Sequence, residues 1–153
     1  MRGEEGLGLE FPSLGGARGG LFLVNARIMV STFKELIVYQ KAHKLAMDVY
    51  ELSKNFPKEE KYSLTDQIRR SSRSVSSNIA ESWAKRLYIK SFVNKLTDSL
   101  GEEFETEDWL DYSRDCKYIS DAEYEHIMSG YDEVRKMLIS MINNPEKWSL
   151  KQE

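Results

Sequence analysis

From Ser31 to Pro145 the apolar residues return every three or four positions in four successive runs, a period that suits a helix and not a strand. The first run is Phe33, Leu36, Ala42, Leu45, Val49 and Leu52, and it closes where Asn55 and Pro57 interrupt it. Ser63 or Thr65 can cap the second, whose stripe is Leu64, Ile68, Ser72, Val75, Ile79 and Trp83. Phe92, Leu96, Leu100, Phe104 and Leu110 make the third, which ends near Cys116. The stretch "SDAE", Ser120 to Glu123, reads as a capping box: serine accepts from the backbone N–H three residues on, and glutamate reaches back to the cap N–H. It opens a fourth stripe of Tyr124, Ile127, Tyr131, Val134, Leu138 and Met141, which Pro145 stops. No strand or hairpin signal competes. The expected fold class is all-α, an antiparallel up-down-up-down four-helix bundle, because short connections force consecutive helices to be antiparallel neighbours.

The stripes begin late. Seven of the nine glycines fall in the first 20 residues, with Pro12 among them, and such a segment cannot repay its ordering entropy locally. Residues 1–28 are expected to be a disordered extension, an upstream or leader segment with Met29 as the start, 29–148 the bundle and 149–153 a tail. The apolar patch "GLFLV" in the extension has the alternative of docking on the bundle. With 41% hydrophobic and 31% charged residues in 153, the remainder has the composition of one soluble domain. Cys116 is the only cysteine, which excludes an intramolecular disulfide and a structural zinc site built on several thiolates, and fits a reducing cytoplasm. No stretch approaches the roughly 20 apolar residues of a membrane helix, and Glu4 and Glu5 stand where a signal peptide carries basic residues.

The second run contains "RRSSRSVSSNIAES", Arg69 to Ser82, a helix crowded with hydroxyls that are mediocre helix formers. One reading is structural: small side chains such as Ser71, Ser72, Ser74 and Asn78 admit a neighbouring helix closely, their hydroxyls satisfied on the carbonyl one turn back. The other is functional: Arg69, Arg70 and Arg73 form a phosphate-contacting face, extended by Lys85, Arg86 and Lys90, since guanidinium forks and hydroxyls both donate to phosphate oxygens. The two can hold on opposite sides of one helix. Charge is segregated along the chain, with ten basic against four acidic residues from Ser53 to Lys95, and two basic against thirteen acidic from Asp98 to Glu133. The net charge of −3 makes a monomer a poor nucleic-acid binder, while an oligomer multiplies any basic patch.

Catalytic constellations are thin. Glu123 and His126 have the Glu-x-x-His spacing of di-iron bundles, but the second copy is missing and the capping role of Glu123 explains it better. Asp98, Glu102, Glu105 and Asp108 make an acidic face that reads as solvated. No nucleophile–base pair or phosphate loop is present, so no catalytic, cofactor or metal site is expected. Apolar residues off the main stripes, Ile37, Val38, Tyr39, Tyr50, Val93, Trp109 and Tyr112, exceed what one buried face consumes and suggest self-association.

The segment "FKELIVYQKAHKLAMDVYELSKNFPKEEKYSLTDQIRRSSRSVSSNIAES", and above all "QIRRSS.S...NIAE", resembles the bacterial four-helix bundle proteins encoded within intervening sequences of 23S ribosomal RNA genes. "ETEDWLDYSRDCKYIS" is similar to a later segment of one branch, and the likeness covers roughly residues 32 to 143. Relatives include the accessory protein of diversity-generating retroelements. The resemblance implies a bundle, a homopentameric ring, no catalytic activity, and as partners RNA or DNA or a reverse transcriptase. Ser82 and Lys117 stand where the family usually has glycine, which bears on the local helix ends. The expected function is a non-enzymatic oligomeric adaptor for nucleic acid or a nucleic-acid enzyme; the alternative is a partner-binding bundle with no nucleic-acid contact.

Overall fold

Each stripe folds into one helix: α1 spans Ile37–Ser53, α2 Leu64–Ala84, α3 Ile89–Asp115 and α4 Asp121–Asn143. The computed structural model describes residues 30–150, so the expected extension over 1–28 lies outside the described residues. Among the described residues there is no strand, and no helix is long and apolar enough to cross a membrane. α2 packs on α1 and α3, α4 packs on α3 and α1, and the diagonal pairs do not approach each other. That closed ring of sequence neighbours is the expected up-down-up-down bundle. Val49, Ile68, Val75, Ile79, Phe92, Leu96, Leu110, Ile127, Val134 and Leu138 are buried along its axis. Val38, expected among the surplus apolar residues, belongs to this core at 4% exposure.

The third helix departs from its expected stripe. Phe104 is 49% exposed and Leu100 half-buried, while the buried face runs Phe92, Leu96, Ser99, Glu103, Thr106, Leu110 and Ser113. These steps alternate four and three, the spacing of a bundle seam. Small polar residues occupy its middle because α2 comes close there: Ser99 Oγ donates to the Val75 carbonyl at 2.8 Å, and the Thr106 and Ser71 hydroxyls are hydrogen-bonded at 2.9 Å. Glu103, with no exposure, is admitted because Arg135 of α4 reaches it at 3.0 Å and also bonds Glu107. Phe104 instead lies on the outside of this ion pair, with the Arg135 guanidinium 5.3 Å from its ring centre. Apolarity alone misplaces the face by one position, since it ranks a phenylalanine above a paired glutamate.

The two loops at one end are joined. The Glu60 carboxylate accepts from the Leu64 N–H at 3.3 Å, from the Ser63 hydroxyl, and from the Tyr118 hydroxyl at 3.1 Å, and these bonds hold it below the usual carboxylate range. Ser63 is the cap residue of α2, but its hydroxyl is turned to Glu60, and Thr65 is buried inside the helix. The expected serine or threonine cap is therefore replaced by a carboxylate from the preceding turn. The capping box of α4 forms as expected, with Ser120 Oγ accepting from the Glu123 N–H at 3.2 Å and the Glu123 carboxylate accepting from the Ser120 N–H at 2.8 Å. Glu123 is thereby committed, and His126 is exposed.

Neither departure from the family's glycines changes a helix end. Ser82 is fully buried, its hydroxyl donates to the Ile79 carbonyl at 2.7 Å, and α2 continues through Ala84. Lys117 takes up the left-handed turn itself, at φ 62°. The Tyr118 N–H bonds the Ser113 carbonyl and the Lys117 N–H bonds the Arg114 carbonyl, both at 2.8 Å, which is a Schellman cap. A side chain in that conformation costs about 1–2 kcal/mol, partly offset by glycine's greater unfolded-state entropy. Lys117→Gly is thus expected to stabilise the protein by about 1 kcal/mol, and thermal unfolding should show a melting point raised by about 3–5 °C. An unchanged or lower melting point counts against this reading of the turn.

Candidate nucleic-acid interface

Successive helix positions point about 100° apart, so Arg69 and Arg73 share a face of α2 that Arg70 does not. Arg69 and Arg73 turn to α1, where their guanidinium carbons lie 4.9 and 5.7 Å from the centre of the Tyr50 ring. Lys54 Nζ approaches the same ring at 4.8 Å. Three cations therefore gather round one aromatic side chain, whose π faces attract positive charge. Arg69 is held further by Nε donating to Ser53 Oγ at 2.7 Å, and Ser53 in turn donates to the Tyr50 carbonyl at 2.9 Å. Lys54 bonds Glu51 at 2.8 Å, whereas Arg73 is exposed. Tyr50, expected among the surplus apolar residues, instead gathers these cations, and Lys54 was not expected at the site, although their spacing of four along α1 puts them on one face.

Arg70 is on the α3 side, with its side chain 73% exposed, and meets Asp66 one turn back at 3.8 Å. Across from it, burial and the carboxylates of Glu105 and Asp98 hold Glu102 above the usual carboxylate range, against an opposing pull from Arg70. Among the described residues none of these three arginines forms an ion pair with the carboxylates between Glu102 and Asp115; Glu103 and Glu107 are bound by Arg135, and Asp111 and Asp115 by Arg114. Lys95 is different: it bridges Glu81 at 3.0 Å and Asp98 at 3.4 Å and ties α2 to α3.

The other expected basic residues stand apart. Arg73 and Lys85 are twelve residues apart, about 18 Å along the helix axis. At the α2–α3 turn Arg86 lies 3.8 Å from the Trp83 ring centre and donates to the Trp83 carbonyl at 2.9 Å, and burial keeps its pKa below the usual guanidinium value. Lys85 and Lys90 are exposed beside it, with Leu87, Tyr88 and Ile89 exposed between them. The six residues thus form two patches, one on the α1–α2 edge with Arg70 beside it and one at the turn.

The serines resolve into the structural reading. Ser72 donates to the Arg69 carbonyl at 3.2 Å, Ser76 to Arg73 at 3.0 Å and Asn78 to Ser74 at 3.0 Å. Ser71, Ser72 and Ser76 are buried, so their hydroxyls are spent inside the bundle. The arginines face out from the same helix without them.

Comparison with known proteins bears on the whole domain. A solved structure, that of a protein of unknown function from the S23 ribosomal protein family of Bacteroides thetaiotaomicron VPI-5482, is 34% identical to this chain. It covers 69% of this chain and 98% of its own, with a TM-score of 0.63. No curated protein matches the chain. A family model described as "23S rRNA-intervening sequence protein" matches residues 34–140, which take in all of α1, α2 and α3 and most of α4. With the bundle intact over that span, the chain belongs to the 23S rRNA-intervening sequence protein family.

Proposed function

We propose that this protein is a non-enzymatic, homo-oligomeric bundle that holds nucleic acid by its phosphate backbone without reading sequence. The observation that carries this reading is the cluster of Arg69, Arg73 and Lys54 round Tyr50, with Arg70 exposed beside it and none of the arginines taken by the acidic third helix. Guanidinium groups are suited to phosphate because their planar donor fork matches two oxygens at once. Lys85, Arg86 and Lys90 offer a second contact about 18 Å further along the axis of α2. Contacts to phosphate position a strand and carry no sequence information, so affinity follows charge and salt.

Self-association supports this role by repeating both patches. An outer apolar row on α3, Leu100, Phe104 and Tyr112, is the surface that favours it, since Phe104 and Tyr112 are 49% and 53% exposed. A homopentamer is the state the family resemblance implies.

Arg70→Gln with Arg73→Gln is the test, because both side chains are exposed while Arg69 also braces Ser53. The pair should weaken binding to unrelated RNA and DNA about equally and reduce the salt slope of log K by about 2, with melting point and light-scattering mass unchanged. Binding that ignores both the substitutions and salt defeats the proposal.

A further inference from the structure

The turn between α2 and α3 holds apolar side chains out in the open. Its backbone is closed on itself, with the Lys85 N–H bonded to the Ser82 carbonyl at 3.0 Å and the Tyr88 N–H to the Lys85 carbonyl at 2.9 Å. Leu87, Tyr88 and Ile89 are nonetheless 40%, 65% and 45% exposed, and their sequence neighbours are Lys85, Arg86 and Lys90. Among the described residues none of these three cations forms an ion pair, and the first turn of α3 carries no acidic residue. Positive charge at the turn is therefore uncancelled, and the dipole of α3 adds to it.

Four aromatic rings are exposed among the described residues, and three already have a partner. Lys61 lies over the Tyr62 ring at 5.1 Å, Arg135 over Phe104, and Trp109 beside Tyr112 with ring centres 5.8 Å apart. Among the described residues Tyr88 has neither a cation nor a second ring against it. An open π face flanked by unpaired cations suits an unpaired nucleotide, whose base stacks on the ring while the cations meet the phosphates on either side. Bases inside a duplex are stacked on one another and offer such a ring no face.

We propose that the α2–α3 turn is a stacking platform for unpaired nucleotides, with Tyr88 as the ring and Lys85, Arg86 and Lys90 as phosphate contacts, so that the protein favours single-stranded RNA or DNA over duplex. This preference rests on the phosphate-binding role of the bundle and adds a substrate class to it. Every base has a π face, so strandedness is read without sequence. The Tyr50 cluster does not supply it, because Arg69, Arg73 and Lys54 already occupy that ring.

The test measures binding of an oligothymidylate, an oligouridylate and a blunt duplex to the full chain. Tyr88→Ala should weaken both single strands about tenfold, the loss of one stacked base, and leave the duplex, the melting point and the light-scattering mass unchanged. Tyr88→Phe keeps the π face and should bind as the unmodified protein does. Lys85→Gln with Lys90→Gln should instead weaken all three and lower the salt slope of log K by about 1–2. Single strands that bind Tyr88→Ala as tightly as the unmodified protein overturn the platform and leave phosphate binding standing, and so does an equal loss on single strands and duplex. A drop in light-scattering mass for Tyr88→Ala assigns the turn to contacts between copies and overturns it too. If the unmodified protein binds none of the three, the phosphate-binding role fails and the platform with it.

Discussion

Glu103→Gln is expected to remove a fall in stability with rising pH that the unmodified protein shows between about pH 4.5 and 8. Burial pushes the Glu103 carboxyl up to about 7 from the ordinary 4.5, with Arg135 pulling it down but not far enough. The folded state therefore holds this proton more tightly than the unfolded chain does. Where the native state binds more protons, stability falls as pH rises, so the contribution is complete below about 4.5 and gone above about 7. The size is about 3 kcal/mol, or roughly 10 °C in melting point. Glutamine keeps the shape and some of the bonding to Arg135 without titrating. Other carboxylates act oppositely, since Glu35 and Glu60 are held below their usual range, so the informative quantity is the difference between the two proteins at each pH. Arg135→Met should do the reverse, leaving a buried carboxylate with no counter-charge and costing about 3–5 kcal/mol at pH 8. That loss should shrink at pH 5, where Glu103 can be neutral. Parallel pH profiles for the unmodified protein and Glu103→Gln would refute the account.

Ser99→Leu should destabilise the bundle by about 3 kcal/mol or more, while Ser99→Ala should cost only about 1. Ser99 is fully buried and its hydroxyl donates to the Val75 carbonyl across the α2–α3 contact. Alanine loses that one bond and leaves the spacing alone. Leucine adds three carbons at a seam where the Ser71 and Thr106 hydroxyls are bonded to each other, and the helices must separate or the side chain must leave its rotamer. Chemical denaturation of the two variants decides the matter. Equal effects would show that the seam is not closely packed, and the serines of α2 would need another explanation.

These two residues also mark where reading the chain stopped. Helix number, order and approximate ends were legible, because Leu64, Ile68, Val75 and Ile79, or Tyr124, Ile127, Val134 and Leu138, advertise a buried face by period alone. The capping box at Ser120 was legible because both of its partners are local. The α2 cap was not, since Glu60 acts from the turn before the helix and is steadied by Tyr118, distant in sequence.

The candidate interface divides in the same way. The arginines of α2 were visible as residues, and their spacing implied that Arg69 and Arg73 share a face. Their gathering on Tyr50 and Lys54, and their separation from Lys85, Arg86 and Lys90, depended on how α1 lies against α2. By itself the sequence determined an all-helical bundle, because periodic apolar spacing and local caps are properties of neighbouring residues. Only the tertiary structure decided that Glu103 is inside and Phe104 outside. That choice rests on Arg135 approaching from another helix, and the energy of a buried charge depends on what surrounds it.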